Sequence, residues 1–342
     1  MTDNYADRPD ECSASAMVEA LAAGDVSALA GPFVNAGFAV RLPGPGMLQL
    51  SQPAAAPARM RLLLSVGMHG DETAPIEIVG RLLQELVQAP HRLALDLMLV
   101  VGNMAAIAAG KRFIDADLNR MFRAERGDLE GTAEALRADA IMHATAAFLG
   151  EEDSAGSEGK WHLDLHTAIR PSHYPAFAVV PDSIAADAKR SLLGCLGAAG
   201  IEAAILNPAS AGTYSAYTAE RFGAAAATVE LGQVGAIGRN DLGRFTAASD
   251  AIAHFLMSGM PPSGPLPAVF RVTQQLVKHS PAFRMAFDRT TWNFTEMQPG
   301  DLIADDGDVI YRVGSEAEYV VFPNPDVRPG LRAGLMVVRS TL

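Results

Sequence analysis

Between about residues 59 and 258 the chain alternates short continuous apolar runs with longer stretches of helical spacing. The runs 61–66, 93–101, 161–166, 176–180, 203–206 and 226–231 predict strands buried on both faces. The stretch 73–87 puts Ile76, Val79, Leu83 and Leu86 on one side of a helix, and 131–149, 184–198 and 241–258 predict further helices. Unbroken apolar strands that alternate with helices predict an α/β fold, a mixed, largely parallel sheet covered on both faces.

The flanks follow other patterns. Residues 1–15 show no apolar period and are expected to be disordered. Residues 16–30 are Ala-rich with helical spacing, and 33–50 alternate weakly around Gly and Pro, as in a hairpin. Pro261, Pro262, Pro265 and Pro267 follow the last predicted helix, and so many prolines continue neither a helix nor a central strand. Beyond them lie short β-like runs at 269–272, 309–313, 319–322 and 335–339, which predict a small all-β domain. The expected division is an N-terminal extension and hairpin (1–50), a main domain (51–260) and a small β-rich domain (261–342).

Composition narrows the possibilities. With 342 residues, 49% of them hydrophobic, a large core is available. A formal charge of -12 argues against nucleic acid or an anionic membrane as partner. The two cysteines, Cys12 and Cys195, exclude a thiolate zinc site and a disulfide framework. The acidic N-terminus lacks a signal-peptide pattern, and no charge-free run of 18 or more apolar residues occurs, so a cytoplasmic protein is expected.

Two short segments carry the candidate chemistry. His69-Gly70-Asp71-Glu72 follows the strand at 61–66, and Trp161-His162-Leu163-Asp164-Leu165-His166 is itself a strand. Ligands of open α/β sheets collect at the carboxyl ends of strands. Two imidazoles and a carboxylate there suit a catalytic zinc, which takes three protein ligands and leaves a place for water. Alternation along 161–166 sets His162, Asp164 and His166 on one face; Asp164 is placed to orient a ligand imidazole. Glu230, in Val229-Glu230-Leu231-Gly232, reads either as the base for that water or as a buried carboxylate paired with an arginine. Asp115 and Asp117 read as loop residues that cap Asn119.

These segments resemble the succinylglutamate desuccinylase and aspartoacylase family, relatives of the zinc carboxypeptidases. The match runs through Gly67 to Pro75 (GMHGDETAP), Gly110 to Phe122 (GKRFIDADLNRMF), Trp161 to Arg170 (WHLDLHTAIR) and Val229 to Gly232. The two longest segments favour the desuccinylase branch. Asp71, where many members have Asn, and Gln233, where desuccinylases often have Lys, depart from the pattern.

The resemblance implies a zinc carboxypeptidase-like fold with one zinc ion (Zn2+) held by His69, Glu72 and His166. It implies Glu230 as general base, Arg112 polarising the scissile carbonyl, and Asn119 with Arg120 gripping the substrate α-carboxylate. The activity implied is hydrolysis of N-succinyl-L-glutamate to succinate and L-glutamate, in arginine catabolism. An aspartoacylase-like hydrolase of another N-acyl amino acid, such as N-acetylaspartate, is the alternative. A non-catalytic binding protein on the same scaffold is the third reading. The expected partner is a small anionic N-acyl amino acid, with a homo-oligomer possible for the chain itself. Three substrate carboxylates call for one more cation, and Arg170 is the best placed in sequence, ahead of Lys111, Arg221 and Arg239. His173 is a lesser pocket candidate, and Tyr214 and Tyr217 are expected in a loop that helps close the pocket.

Overall fold

The computed structural model describes residues 13–53, 60–150, 159–208, 212–288 and 290–342. Of residues 1–15, expected to be disordered, 1–12 lie outside the described residues, while 13–15 form the cap and start of a helix. Ser13 caps helix α1 (Ala14–Ala22), its hydroxyl accepting from Ala16 N–H at 3.2 Å. The helix predicted over 16–30 is two pieces, because Gly24 sits at φ +68° and a 3-10 turn, Val26–Leu29, takes over. Helix α2 (Ala30–Asn35) then leads into a hairpin of β1 (Ala39–Gly44) and β2 (Met47–Ser51).

The body alternates as its pattern predicts. In chain order it contains β3 (Arg61–Val66), α3 (Ala74–Gln88), β4 (Asp96–Val101), α4 (Met104–Ala109), α5 (Ala133–Leu149) and β5 (Lys160–Ala168). There follow β6 (Ala176–Pro181), α6 (Ala186–Ala198), β7 (Ala203–Asn207), α7 (Tyr214–Phe222), β8 (Ala225–Gln233) and α8 (Thr246–Ser258). Residues 261–267 carry neither helix nor strand. The C-terminal part is all β: β9 (Ala268–Val277), β10 (Arg284–Met285), β11 (Thr295–Met297), β12 (Leu302–Asp305), β13 (Ile310–Arg312), β14 (Glu318–Val321) and β15 (Arg332–Arg339).

One sheet runs β1-β2-β4-β3-β5-β8-β6-β7-β9-β15-β14-β11, and β10-β12-β13 form a second. Strands β4, β3, β5 and β8 are mutually parallel at its centre, as are β6, β7 and β9. Strand β9 pairs with β7 on one side and antiparallel with β15 on the other, so the C-terminal strands extend the main sheet. Phe177, Ala203 and Ile205 pack with Phe270, Phe294, Val321 and Leu335 across that join.

Helices cover both faces. On one, α1, α3, α6 and α8 bury Leu21, Ile76, Leu193 and Phe255 against Leu62, Leu64, Trp161 and Leu163. On the other, Ala138 and Ile141 of α5 and Tyr214 of α7 cover Leu63, Met98 and Val100. Each fully buried large side chain contributes roughly 1.5–3 kcal/mol relative to leaving it in water. Strand β5 divides between these layers: Trp161, Leu163 and Leu165 face the first, and His162 meets Tyr214 in the second at 4.4 Å between ring centroids. Among the described residues no helix is long and apolar enough to cross a membrane.

Candidate active site

The carboxyl ends of β3, β5 and β8 meet at the middle of the sheet. His69 and Glu72 occupy the turn after β3, and His166 is near the end of β5. Glu230 is paired in register with His166 on the neighbouring strand. The turn fits only because residue 70 is glycine: a Cβ there would stand 2.2 Å from the Ala106 carbonyl carbon at α4. Gly232, at φ +71°, ends the Glu230 segment with its Cα against the Phe245 ring, which a Cβ would meet at 2.5 Å.

His69 Nδ1 lies 2.7 Å from Glu72 Oε1 and His166 Nδ1 lies 2.9 Å from Glu72 Oε2. One ligand atom from each of these three buried side chains falls within 4.8 Å of the others, which is the one such group of metal-ligating type found among the described residues. The opposite nitrogens are each held by a carboxylate: His69 Nε2 by Asp117 at 3.0 Å, His166 Nε2 by Asp164 at 2.9 Å. That arrangement fixes ring orientation and turns both Nδ1 atoms to one point, as a metal site requires. Thr167 N–H donates to Glu72 Oε2 at 3.0 Å and locks the carboxylate. The donor set fits a divalent zinc-like ion.

Burial alone would raise the Glu72 pKa, but His69 and His166 hold it well below the ordinary carboxylate value. Burial would likewise lower His166, yet Asp164 and Glu72 raise it well above 6.5; His69 is also raised, by Glu72 and Asp117 against its burial. Asp164 is supported from behind: Ser65 Oγ donates to its Oδ1 at 2.6 Å and lies 2.8 Å from His162 Nε2. Burial pushes His162 down to about 4, so it is a neutral link between Ser65 and Thr218.

Glu230 has no such partners. It is buried, and its Oε2 has no hydrogen bond among the described residues, so the arginine-paired reading finds no support here. Burial pushes its carboxyl up to about 7, with Glu72 adding to the rise and His166 and Arg112 opposing it. A desolvated carboxyl near neutrality suits proton transfer.

The loop at 110–122 brings the arginines. Arg112 donates to Glu72 Oε1 at 2.8 Å and sits 3.2 Å from His69 Nε2. Asn119 is buried: its Oδ1 accepts from Tyr214 N–H at 2.8 Å, and its amide nitrogen lies 3.2 Å from His166 Nε2. Arg120 donates to the Asn119 carbonyl at 2.6 Å and is half-buried beside Asp117. Asp117 does cap Asn119, accepting its N–H at 2.9 Å, and also holds His69.

Arg170 bonds outside this group. Its Nε donates to Pro323 O at 2.6 Å, and its charge is felt by exposed Asp288. His173 meets Trp292, ring centroids 5.2 Å apart. The expected Tyr214–Tyr217 loop is instead helix α7, capped by Thr213, and Tyr214 is fully buried between Phe122 and Thr145. His91, His143, His254 and His279 are exposed.

Two residues next to these loops stand outside every sequence motif. Glu134, in the first turn of α5, accepts from the backbone N–H groups of Ile114, Asp115 and Ala116 and from Asn103, so it pins the Arg112 loop. The guanidinium of Arg332, which opens β15, has no hydrogen bond or ion pair among the described residues and feels the charges of Arg120 and Asp117; burial first, then Arg120, push it down to about 9. An acid in a helix first turn looks like a routine dipole partner, and no spacing links Arg332 to Asp117 and Arg120 so far earlier in the chain.

A buried His-Glu-His group with an unpaired carboxyl beside it, at the strand ends of an α/β sheet, defines a metal-hydrolase type of site. Residues 58–256 match the succinylglutamate desuccinylase/aspartoacylase catalytic domain, and residues 266–340 match the AstE/AspA barrel-sandwich hybrid domain. The chain belongs to the succinylglutamate desuccinylase/aspartoacylase family. It is 44% identical over 311 residues to the succinylglutamate desuccinylase of Burkholderia orbicola (strain AU 1054), covering 90% of each chain. It also resembles crystal structures of succinylglutamate desuccinylases. For that of Vibrio parahaemolyticus the TM-score is 0.81, with 31% identity and 89% of each chain covered. For that of Chromobacterium violaceum it is 0.76, with 35% identity, 90% of this chain and 92% of that one covered.

Proposed function

We propose that this chain is a zinc-dependent hydrolase that cleaves the amide of N-succinyl-L-glutamate to succinate and L-glutamate. The observation that carries the reading is Glu230: a buried carboxyl without a partner, next in register to His166. The names of the relatives supply the substrate, and the converging His69, Glu72 and His166 supply the metal-ligand set.

A zinc ion held there lowers the pKa of water toward about 7 and polarises a carbonyl. The chain's own groups divide the remaining work. Glu230 Oε2 takes a proton from the attacking water and delivers it to the amide nitrogen as the C–N bond breaks. Such transfer is worth about 10²–10⁴-fold. Arg112 presents its guanidinium to the carbonyl oxygen as negative charge grows there. Arg120 binds the α-carboxylate through its planar fork. Asn119, tied to Tyr214 N–H and lying against His166, fixes the floor between these groups. Arg170 Nε is engaged by Pro323 O of the C-terminal part. A cytoplasmic setting, a homo-oligomer and a division at about residue 260, with 261–342 a β-rich domain joined to the catalytic one through β9, belong to the same reading.

The test is glutamate release from N-succinyl-L-glutamate by zinc-loaded protein against Glu230→Ala. Equal, background-level release by both sinks the reading.

A further inference from the structure

We infer that Arg332 joins Arg120 in a two-guanidinium subsite that receives the side-chain carboxylate of the substrate's amino-acid half. The inference rests on the N-acyl-glutamate reading above and specifies which part of that substrate the C-terminal strands recognise.

The start of β15 is fastened to the metal-site side of the molecule. Arg170, four residues after His166, donates to Pro323 O at 2.6 Å. Asn324 N–H then donates to Ala333 O at 2.7 Å, one residue from Arg332. Asn293 closes the joint: its Oδ1 accepts from Phe322 N–H at 2.7 Å, and its own N–H donates to Pro171 O at 2.9 Å. Two residues here, Phe294 at φ +64° and Phe322 at φ +53°, hold left-handed backbone that packing must stabilise.

The Arg332 side chain is half-buried, without a hydrogen bond or an ion pair among the described residues. The charges it faces are Arg120, a second cation, and Asp117. Asp117 Oδ1 is already committed to His69 Nε2 and Asn119 N–H. Two guanidinium groups thus share one partly occupied carboxylate. A half-buried charge left with a like charge is unfavourable until an anion joins it. Arg120 takes the α-carboxylate, so the carboxylate that best relieves Arg332 is the other one on the same half of the substrate. An amide in its place leaves the two cations facing one another.

The test compares zinc-loaded wild type with Arg332→Met, which keeps an apolar stem, and with Arg332→Gln as a second variant, both checked for zinc content and melting temperature. The substrates are N-succinylglutamate, N-succinylglutamine and N-acetylglutamate. Losing one charge-assisted bidentate contact lowers kcat/KM by roughly 10–100-fold. That loss is expected for both glutamyl substrates, with less than about threefold change for N-succinylglutamine. Inhibition by free glutamate weakens by a similar factor, and inhibition by succinate does not change. Equal losses on glutamyl and glutaminyl substrates overturn the inference. So does a loss confined to succinyl compounds, which assigns Arg332 to the acyl half. If wild type hydrolyses none of the three, the functional reading fails instead. Calorimetric binding of glutamate against glutamine, in wild type and variants, then decides the subsite: no difference in preference between the proteins overturns it.

Discussion

Replacing Glu230 by Gln removes the proton carrier and keeps the shape. Activity should fall by about 10²–10⁴-fold. The same substitution should stabilise the metal-free protein, and the size follows from the burial of this side chain. A carboxyl held at about 7 instead of its ordinary 4.5 costs about 3 kcal/mol to ionise in the folded chain. The sign is set by linkage. Between those two values the folded chain keeps a proton that the unfolded chain has lost, so wild type loses stability as pH rises from about 4.5 to about 7. The Gln variant has no such loss. For a chain of this length the difference is a melting temperature on the order of 5 °C higher for the variant at pH 8, closing toward zero at pH 4.5. Thermal scans of both proteins in chelator, from pH 4.5 to 8, give the answer. Removing the metal matters because a bound cation favours the ionised carboxylate. A gap that does not change with pH, or a variant less stable than wild type at pH 8, refutes the buried, unpartnered state. Retained activity refutes the catalytic role.

Other consequences follow from the same contacts. Because His69 and His166 are both raised, zinc must displace protons. Calorimetry in buffers of different ionisation heat at pH 7 should show release of about one proton or more per zinc, with affinity falling as pH drops; no proton release contradicts the ring environments. Glu134→Ala leaves Ile114, Asp115 and Ala116 N–H without their acceptor, which should cost about 3–5 kcal/mol in denaturant unfolding, and a cost below about 1 kcal/mol argues that the Arg112 loop is held by other means. Asn293→Ala removes the bond to Phe322 N–H and should cost about 1–3 kcal/mol. Hydrogen exchange in that variant should speed up at 293–295 and 320–324; unchanged exchange refutes the clamp.

How much was legible in the sequence depended on whether a residue's partner is local. The strand at 61–66 and the helix over 73–87 were readable because each buries a periodic face, and the period survives folding. The polar face of β5 was readable for the same reason, since alternation fixes which side His162, Asp164 and His166 occupy. Helix α7 was missed because its Thr, Tyr and Ser residues resemble loop chemistry, and its stability comes from burying Tyr214 against Phe122 and His162. Spacing alone points to Arg170 as the extra cation, because it follows His166 by four residues. Arg332 lies on β15, which joins the main sheet through β9, so no local pattern points to it. Asp117 was half legible. Its cap on Asn119 is a local bond, while its hold on His69 spans 48 residues.

The most direct test of the central claim is kcat/KM for N-succinyl-L-glutamate and N-acetyl-L-aspartate, measured on protein of known zinc content. The account predicts about one zinc per chain and a preference of at least about 100-fold for the succinyl-glutamate substrate. It also predicts activity that disappears with chelator and returns with zinc. Equal or reversed preference contradicts the substrate assignment, and full activity in zinc-free protein contradicts the metal site.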